Sequence, residues 1–214
     1  MTRFKICCIR DERELELAVE HGASAVGLVS AMPSGPGPID EAAIARLLPR
    51  VPPGVTSFLL TSLTDPEALI DQHRRLPADA LQLVDRLPDG AHARLRAGLP
   101  GVRLVQVLHV EGPEAVDEAR RLAGRVDAFL LDSGRPGLAL KELGGTGRVH
   151  DWAISRRVVG AVDRPVFLAG GLRPDNVADA IARVAPYAVD VCTGVRTDGV
   201  LDPDRLAAFA RAVP

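Results

Sequence analysis

Two glycine turns near the C-terminal end, together with a thiol and a carboxylate far apart in sequence, are the parts of this chain that could do chemistry. In Leu168-Ala169-Gly170-Gly171-Leu172 a β-rich run, Pro165 to Ala169, stops at a glycine pair that opens into a helical pattern from Pro174 to Ala185. Glycines let backbone N–H groups approach an anion with no Cβ in the way. A helix N-terminus adds orphan donors and a partial positive charge, so the pattern reads as a phosphate cradle. A second apolar run closes the same way at Val191-Cys192-Thr193-Gly194. Cys7 and Asp132 lie at or just past the ends of two other apolar runs, where a thiolate base and a carboxylic acid could share a two-proton reaction. Their unperturbed pKa values, about 8.5 and about 3.9, must both move toward neutrality for that. A phosphate nearby pushes both upward, which suits Asp132 as acid more than Cys7 as base. Cys7 as a small core residue and Asp132 as a turn residue fit the same spacing, so spacing alone leaves both readings open.

Such residues need elements to bring them together, and the chain supplies a strict alternation. Strand patterns fall at Phe4–Ile9, Ala25–Val29, Val55–Thr61, Ala80–Leu83, Arg103–Leu108, Ala128–Leu131, Val166–Ala169 and Val189–Cys192. Amphipathic helical patterns lie between them at Asp11–His21, Asp40–Leu48, Asp65–Arg75, Ala91–Ala97, Pro113–Ala123, Trp152–Val162, Pro174–Ala185 and Pro203–Val213. Several open on Asp followed by Glu or Pro, an N-cap with an acidic or proline first turn. Strict βα alternation predicts a parallel sheet in the α/β class. Eight units predict a single (β/α)8 TIM barrel over residues 1–214, with an open flavodoxin-like sheet as runner-up. In such a barrel the strand ends share one face, with phosphate held after strands 7 and 8. Two long connections on that face, Ser30–Pro38 and Ser133–Asp151, read as active-site loops; the second carries Gly144-Gly145-Thr146-Gly147.

Composition narrows the function classes. A net charge of −2 gives no electrostatic case for nucleic acid or an anionic membrane surface, and 3% aromatic residues argue against base stacking. No apolar stretch approaches the roughly 20 residues of a membrane span, and the chain starts into a strand with no signal-peptide pattern, so a cytoplasmic location is expected. Three cysteines, two adjacent, make no disulfide framework and suit a reducing compartment.

Read in order, Lys5-Ile6-Cys7, Gly22-Ala23-Ser24-Ala25-Val26-Gly27, Leu130-Leu131-Asp132, Gly144–Gly147, Asp151-Trp152, Leu168–Leu172, Asn176-Val177 and Val189-Asp190-Val191 resemble the phosphoribosylanthranilate isomerases of tryptophan biosynthesis. The likeness spans almost the whole chain. It implies an Amadori rearrangement of a phosphoribosylamine with no metal or organic cofactor, Cys7 as general base and Asp132 as general acid. It further implies a phosphate site at Gly170, Gly171, Thr193 and Gly194, to which Gly145 of the long loop is added. The expected partner is a small phosphorylated sugar, and the expected assembly a monomer or homodimer.

Departures from the family pattern gather where the aromatic half of the substrate would bind. The family's Ser-Pro-Arg after the second strand is replaced by Pro33-Ser-Gly-Pro-Gly-Pro38, which removes a bidentate clamp for the anthranilate carboxylate. After the last strand the family's Ser-Ser-Gly-Val-Glu reads Cys192-Thr193-Gly194-Val195-Arg196, and the third- and fourth-strand signatures are also altered. Arg10, Arg135, Arg148 or Arg196 could supply the clamp. Otherwise the chain is a paralogue acting on another phosphorylated sugar, or a binder without catalysis. Arg10, His109 and Arg196 are therefore candidate substrate contacts, although a strand-end histidine such as His109 is more often structural. His150 is expected to stack or pack. Cys8, one residue past Cys7, is expected to point outward into the helix-facing layer, and Cys192 to approach Cys7.

Overall fold

A computed structural model describes residues 2–134 and 149–214 of the chain. Eight parallel strands close into a barrel: β1 (Arg3–Ile6), β2 (Ala25–Val29), β3 (Thr56–Thr61), β4 (Ala80–Leu83), β5 (Arg103–His109), β6 (Ala128–Asp132), β7 (Val166–Leu168) and β8 (Ala188–Val191). Closure is made by β1, which pairs with β2 on one side and, through Arg3 to Ile6, with Ala188 to Val191 on the other. The open sheet is thereby excluded. Helices α1 (Glu12–Glu20), α2 (Glu41–Leu47), α3 (Pro66–Arg75), α4 (Ala91–Gly98), α5 (Glu114–Leu122), α6 (Trp152–Ala161) and α7 (Val177–Val184) return the chain from each strand end to the next strand, and α8 (Pro203–Ala212) follows the last strand. Among the described residues, no helix is long and apolar enough to cross a membrane.

The helix starts follow from cap chemistry. Asp11, Asp40, Asp65, Asp151 and Asp202 each turn a carboxylate back onto first-turn N–H groups, a contact worth about 1 kcal/mol. Two apolar layers result from the period-2 alternation of the strands. The outer one joins the outward faces of the strands, such as Phe4, Leu28, Leu59 and Leu131, to the helices; the inner one fills the barrel with Ala25, Phe58, Leu60, Val105, Leu130, Phe167 and their neighbours. At the N-terminal end the even strands all contribute alanine, Ala25, Ala80, Ala128 and Ala188. They leave a cavity of about 210 Å³ walled by Phe58 and Phe167 and rimmed by Arg3 and Arg103.

Three boundaries differ from the sequence pattern in ways that matter for the site. Strand β1 ends at Ile6 and not Ile9, so Cys7 and Cys8 belong to the connection, although the Cys7 N–H extends the ladder with a 2.9 Å bond to the Val191 carbonyl. Strand β8 ends at Val191, and Thr193–Val195 form one turn of 3-10 helix followed by a small ribbon, β9 (Arg196–Thr197) against β10 (Val200–Leu201). Helix α7 starts at Val177 and not Pro174, because Asn176 holds the preceding residues in a turn.

Candidate active site

The inner wall at the C-terminal face is organised by a buried ion pair. Lys5 on β1 and Asp190 on β8 are register partners in the closing ladder, and Lys5 Nζ lies 2.8 Å from Asp190 Oδ1 with the lysine wholly inaccessible. Gly27 on β2 leaves the room: a Cβ there would come within 3.1 Å of Lys5 Nζ and of Cys7 Sγ. The ammonium and the thiol thus share one small space. Burial alone pushes the Lys5 ammonium toward neutrality, but Asp190 and Cys7 outweigh it, and its pKa is raised.

Cys7 and Asp132 both line the pocket above this pair. The neighbouring Cys8 thiol draws the Cys7 pKa below its ordinary value; burial opposes this and Lys5 assists it. Asp132 moves the other way. Burial raises its pKa, against the Ser133 N–H, which donates to Oδ1 at 2.7 Å, and the His109 side chain on the adjacent strand. The arrangement is a thiol shifted toward thiolate and a carboxyl shifted toward the protonated acid, facing one cavity.

The glycine pair occupies the same cavity. Gly170 and Gly171 have φ of +83° and +66°, which a side chain would resist, and their N–H groups donate to no other group among the described residues. Asn176 fixes their turn, accepting from the Arg173 N–H at 2.8 Å and donating to the Gly171 carbonyl at 3.0 Å. Thr193 lines the pocket from the β8 side. Gly194 lies behind it, against the Leu172 carbonyl, which a Cβ would overlap. Its part is close packing of the two turns and not a place in the pocket wall. The donors come from the loop glycines themselves, since α7 starts six residues beyond Gly171. Gly145, Arg135 and Arg148 lie outside the described residues.

Several sequence candidates belong elsewhere. Arg196 is buried under the β1–α1 connection: its guanidinium meets Glu14 at 2.7 and 2.9 Å and the carbonyls of Cys8 and Gly199 at 2.6 and 3.1 Å. It does not line the pocket. Arg10 is spent on the same Glu14, at 3.1 Å. His109 Nε2 lies 3.0 Å from the Val84 carbonyl, and its ring lines a neighbouring depression with Asp85 and Arg86. Cys8 departs from the expected outward direction because its φ of +65° breaks the strand alternation and turns the thiol inward. It is Cys8, and not Cys7, that the Cys192 sulfur touches, at 2.6 Å. His150 packs, with Nε2 2.7 Å from Ser155 Oγ, and Nδ1 would lie 3.0 Å from a Cβ on Gly170; burial lowers its pKa to about 4.

Lys5, Asp190 and Asn176 were missed as site residues. A signal existed for the first two: a charge at the centre of each of two otherwise apolar runs, on strands that must adjoin once eight of them close.

A model of the N-(5'-phosphoribosyl)anthranilate (PRA) isomerase family matches residues 4–212. The chain belongs to this family. It is 42% identical to the N-(5'-phosphoribosyl)anthranilate isomerase of Halobacterium salinarum over 99% of this chain and 96% of the relative, and 38% identical to that of Methanocella arvoryzae over 92% and 91%. Among solved structures, the phosphoribosylanthranilate isomerase of Thermotoga maritima superposes with a TM-score of 0.84 at 28% identity, covering 99% of this chain and 98% of that one. An isomerase in complex with reduced 1-(o-carboxyphenylamino)-1-deoxyribulose 5-phosphate superposes at 0.81 with 26% identity and the same coverage. Monomers made from the dimeric Thermotoga maritima isomerase have also been solved, at 0.80 and 25%. Family membership at full length removes the support for a paralogue of another pathway or a binder without catalysis.

Proposed function

We propose that this chain isomerises N-(5'-phosphoribosyl)anthranilate by an Amadori rearrangement, an intramolecular oxidoreduction of the aldose–ketose type. The observation that carries the reading is the placing of Cys7 and Asp132 in one pocket, where Cys8 and Lys5 draw the thiol pKa down and burial raises that of the carboxyl, beside Gly170 and Gly171, whose N–H groups donate to no other group among the described residues. Protonated Asp132 donates to the ribose ring oxygen, the C1′–O bond breaks, and a Schiff base forms on the anthranilate nitrogen. Cys7 thiolate takes the C2′ proton, and its electron pair moves to give the enolamine. Tautomerisation to the ketose returns a proton to carbon, so the C1′ carbon is reduced, the C2′ carbon is oxidised, and no external acceptor is needed. Gly170, Gly171 and Thr193 hold the phosphate. Asp190, paired with Lys5 at 2.8 Å, stays fixed at the pocket floor.

The aromatic half faces a mostly apolar wall, Met32, Pro36, Leu60 and Val84, with no arginine among the described lining residues. Arg10 and Arg196 are both held by Glu14, which removes them as carboxylate clamps. The assay is fluorescence-monitored turnover of phosphoribosylanthranilate generated in situ. Wild type should turn over, and Cys7→Ala and Asp132→Asn should each lose about 10²–10⁴-fold in kcat with the fold intact by circular dichroism. Full activity in either variant would remove that residue from the mechanism, and an inactive wild type would remove the reading itself. We place the enzyme in the cytoplasm as a monomer or homodimer. Light scattering against the 22.7 kDa chain mass distinguishes the two assemblies.

A further inference from the structure

The three thiols do not share one role. Cys7 serves the reaction proposed above, whereas Cys8 and Cys192 are left over, and their geometry is particular. Cys8 holds φ of +65°, a left-handed conformation that strains an L residue and that glycine would adopt freely. The chain keeps a cysteine there and clears space for it: Gly37 in the loop after β2 lies so close that a Cβ would overlap Cys8 Cβ. The strained backbone turns the Cys8 thiol across the gap between the β1 and β8 connections, where the sulfurs of Cys8 and Cys192 are 2.6 Å apart. Cys192 is part-exposed in the pocket wall and open to a small reagent.

We propose that Cys8 and Cys192 form a reversible disulfide that switches the pocket off. The oxidant is a low-molecular-weight disulfide. Cys192 thiolate attacks one of its sulfurs, breaking the S–S bond and releasing one thiolate. Cys8, whose thiol the neighbouring sulfurs and burial hold toward the protonated form, loses its proton as its sulfur attacks the Cys192 sulfur of the mixed disulfide and releases the second thiolate. The protons of the two protein thiols pass to the released thiolates, so two protein sulfurs are oxidised and one small disulfide is reduced. One feature connects the bond to activity: it ties the connection carrying Cys7 to the turn carrying Thr193. The effect on turnover rests on the isomerase reading; the disulfide does not.

The test treats the full-length reduced protein with oxidised glutathione, alkylates it, and digests it with trypsin without reductant. Cys7 and Cys8 share the peptide Ile6–Arg10, and Cys192 lies in Val184–Arg196, so fragmentation of the linked pair identifies the bridging sulfur. The expected result is a Cys8–Cys192 bridge, a fall in phosphoribosylanthranilate turnover of about tenfold or more, and recovery with dithiothreitol. Cys192→Ser should keep its own reduced activity when treated with the oxidant, whereas Cys8→Gly, suited to the positive φ, should stop at the mixed disulfide on Cys192, read as the mass gain of one glutathione. A bridge through Cys7, no linked peptide, or inactivation of Cys192→Ser equal to that of wild type would overturn the proposal. A Cys8–Cys192 bridge in a protein without turnover would overturn the isomerase reading instead.

Discussion

Lys5 is the residue on which the pocket chemistry depends without touching a reacting atom. Replacing it with Met leaves the Asp190 carboxylate buried and unpaired, which should destabilise the fold by about 3–5 kcal/mol in urea denaturation. The same change withdraws a positive charge from beside Cys7. The activity profile is expected to be bell-shaped: turnover falls at low pH as the thiolate is protonated, and at high pH as Asp132 loses the proton it donates. The two limbs belong to the pair jointly. In Lys5→Met the acidic limb should move to higher pH, because thiolate formation is no longer assisted; an unmoved limb would show that Lys5 has only a structural part. His150 carries a separate dependence, on stability. Its pKa of about 4 in the folded chain lies below the ordinary 6.5, so between those values the unfolded chain binds more protons. Stability from this group is therefore complete above about pH 6.5 and is lost as the pH falls toward 4. The melting temperature of His150→Gln should vary less steeply across that window than that of wild type.

At the scale of elements, Glu14 on α1 is the staple for the connections around the pocket. It accepts from Arg196, Arg10 and the Leu201 N–H, and Arg196 in turn holds the Cys8 carbonyl. Glu14→Gln leaves a guanidinium buried without its counter-charge. We expect a loss of about 3–5 kcal/mol in thermal or urea unfolding, with reduced turnover in the fraction still folded. This staple marks the limit of what could be read from the chain. The eight strands and eight helices were legible because their periods repeat and five of the helix starts carry Asp caps. Cys7 and Asp132 were legible as strand-end residues, since closure puts all such ends on one face. The roles of Arg196 and Glu14 were not, because a contact across 182 positions depends on how a ribbon folds back after β8, and no local pattern encodes that. Cys8 was misread for a related reason: alternation holds within a strand, and the strand stops two residues earlier.

Across the whole molecule the two ends of the barrel are built differently. The C-terminal end gathers the ion pair, the acid, the base and the glycine turns, whereas the N-terminal end is underfilled by its ring of alanines. Ala80→Val should fill part of that cavity and stabilise the protein by about 1 kcal/mol with turnover unchanged, measured by thermal melting beside the standard assay. A drop in stability would mean that the surrounding Phe58 and Phe167 rings cannot give way. The seam between the last two units is tighter. Gly194 rests directly on the Leu172 carbonyl, so any side chain at 194 must displace the backbone next to Gly171. In terms of descent, lineages from this chain can vary Met32 and Ser34 of the loop after β2 one substitution at a time and try other amine substituents on the sugar. The grip on phosphate cannot be eased away in small steps at position 194, because the first step there already shifts both turns.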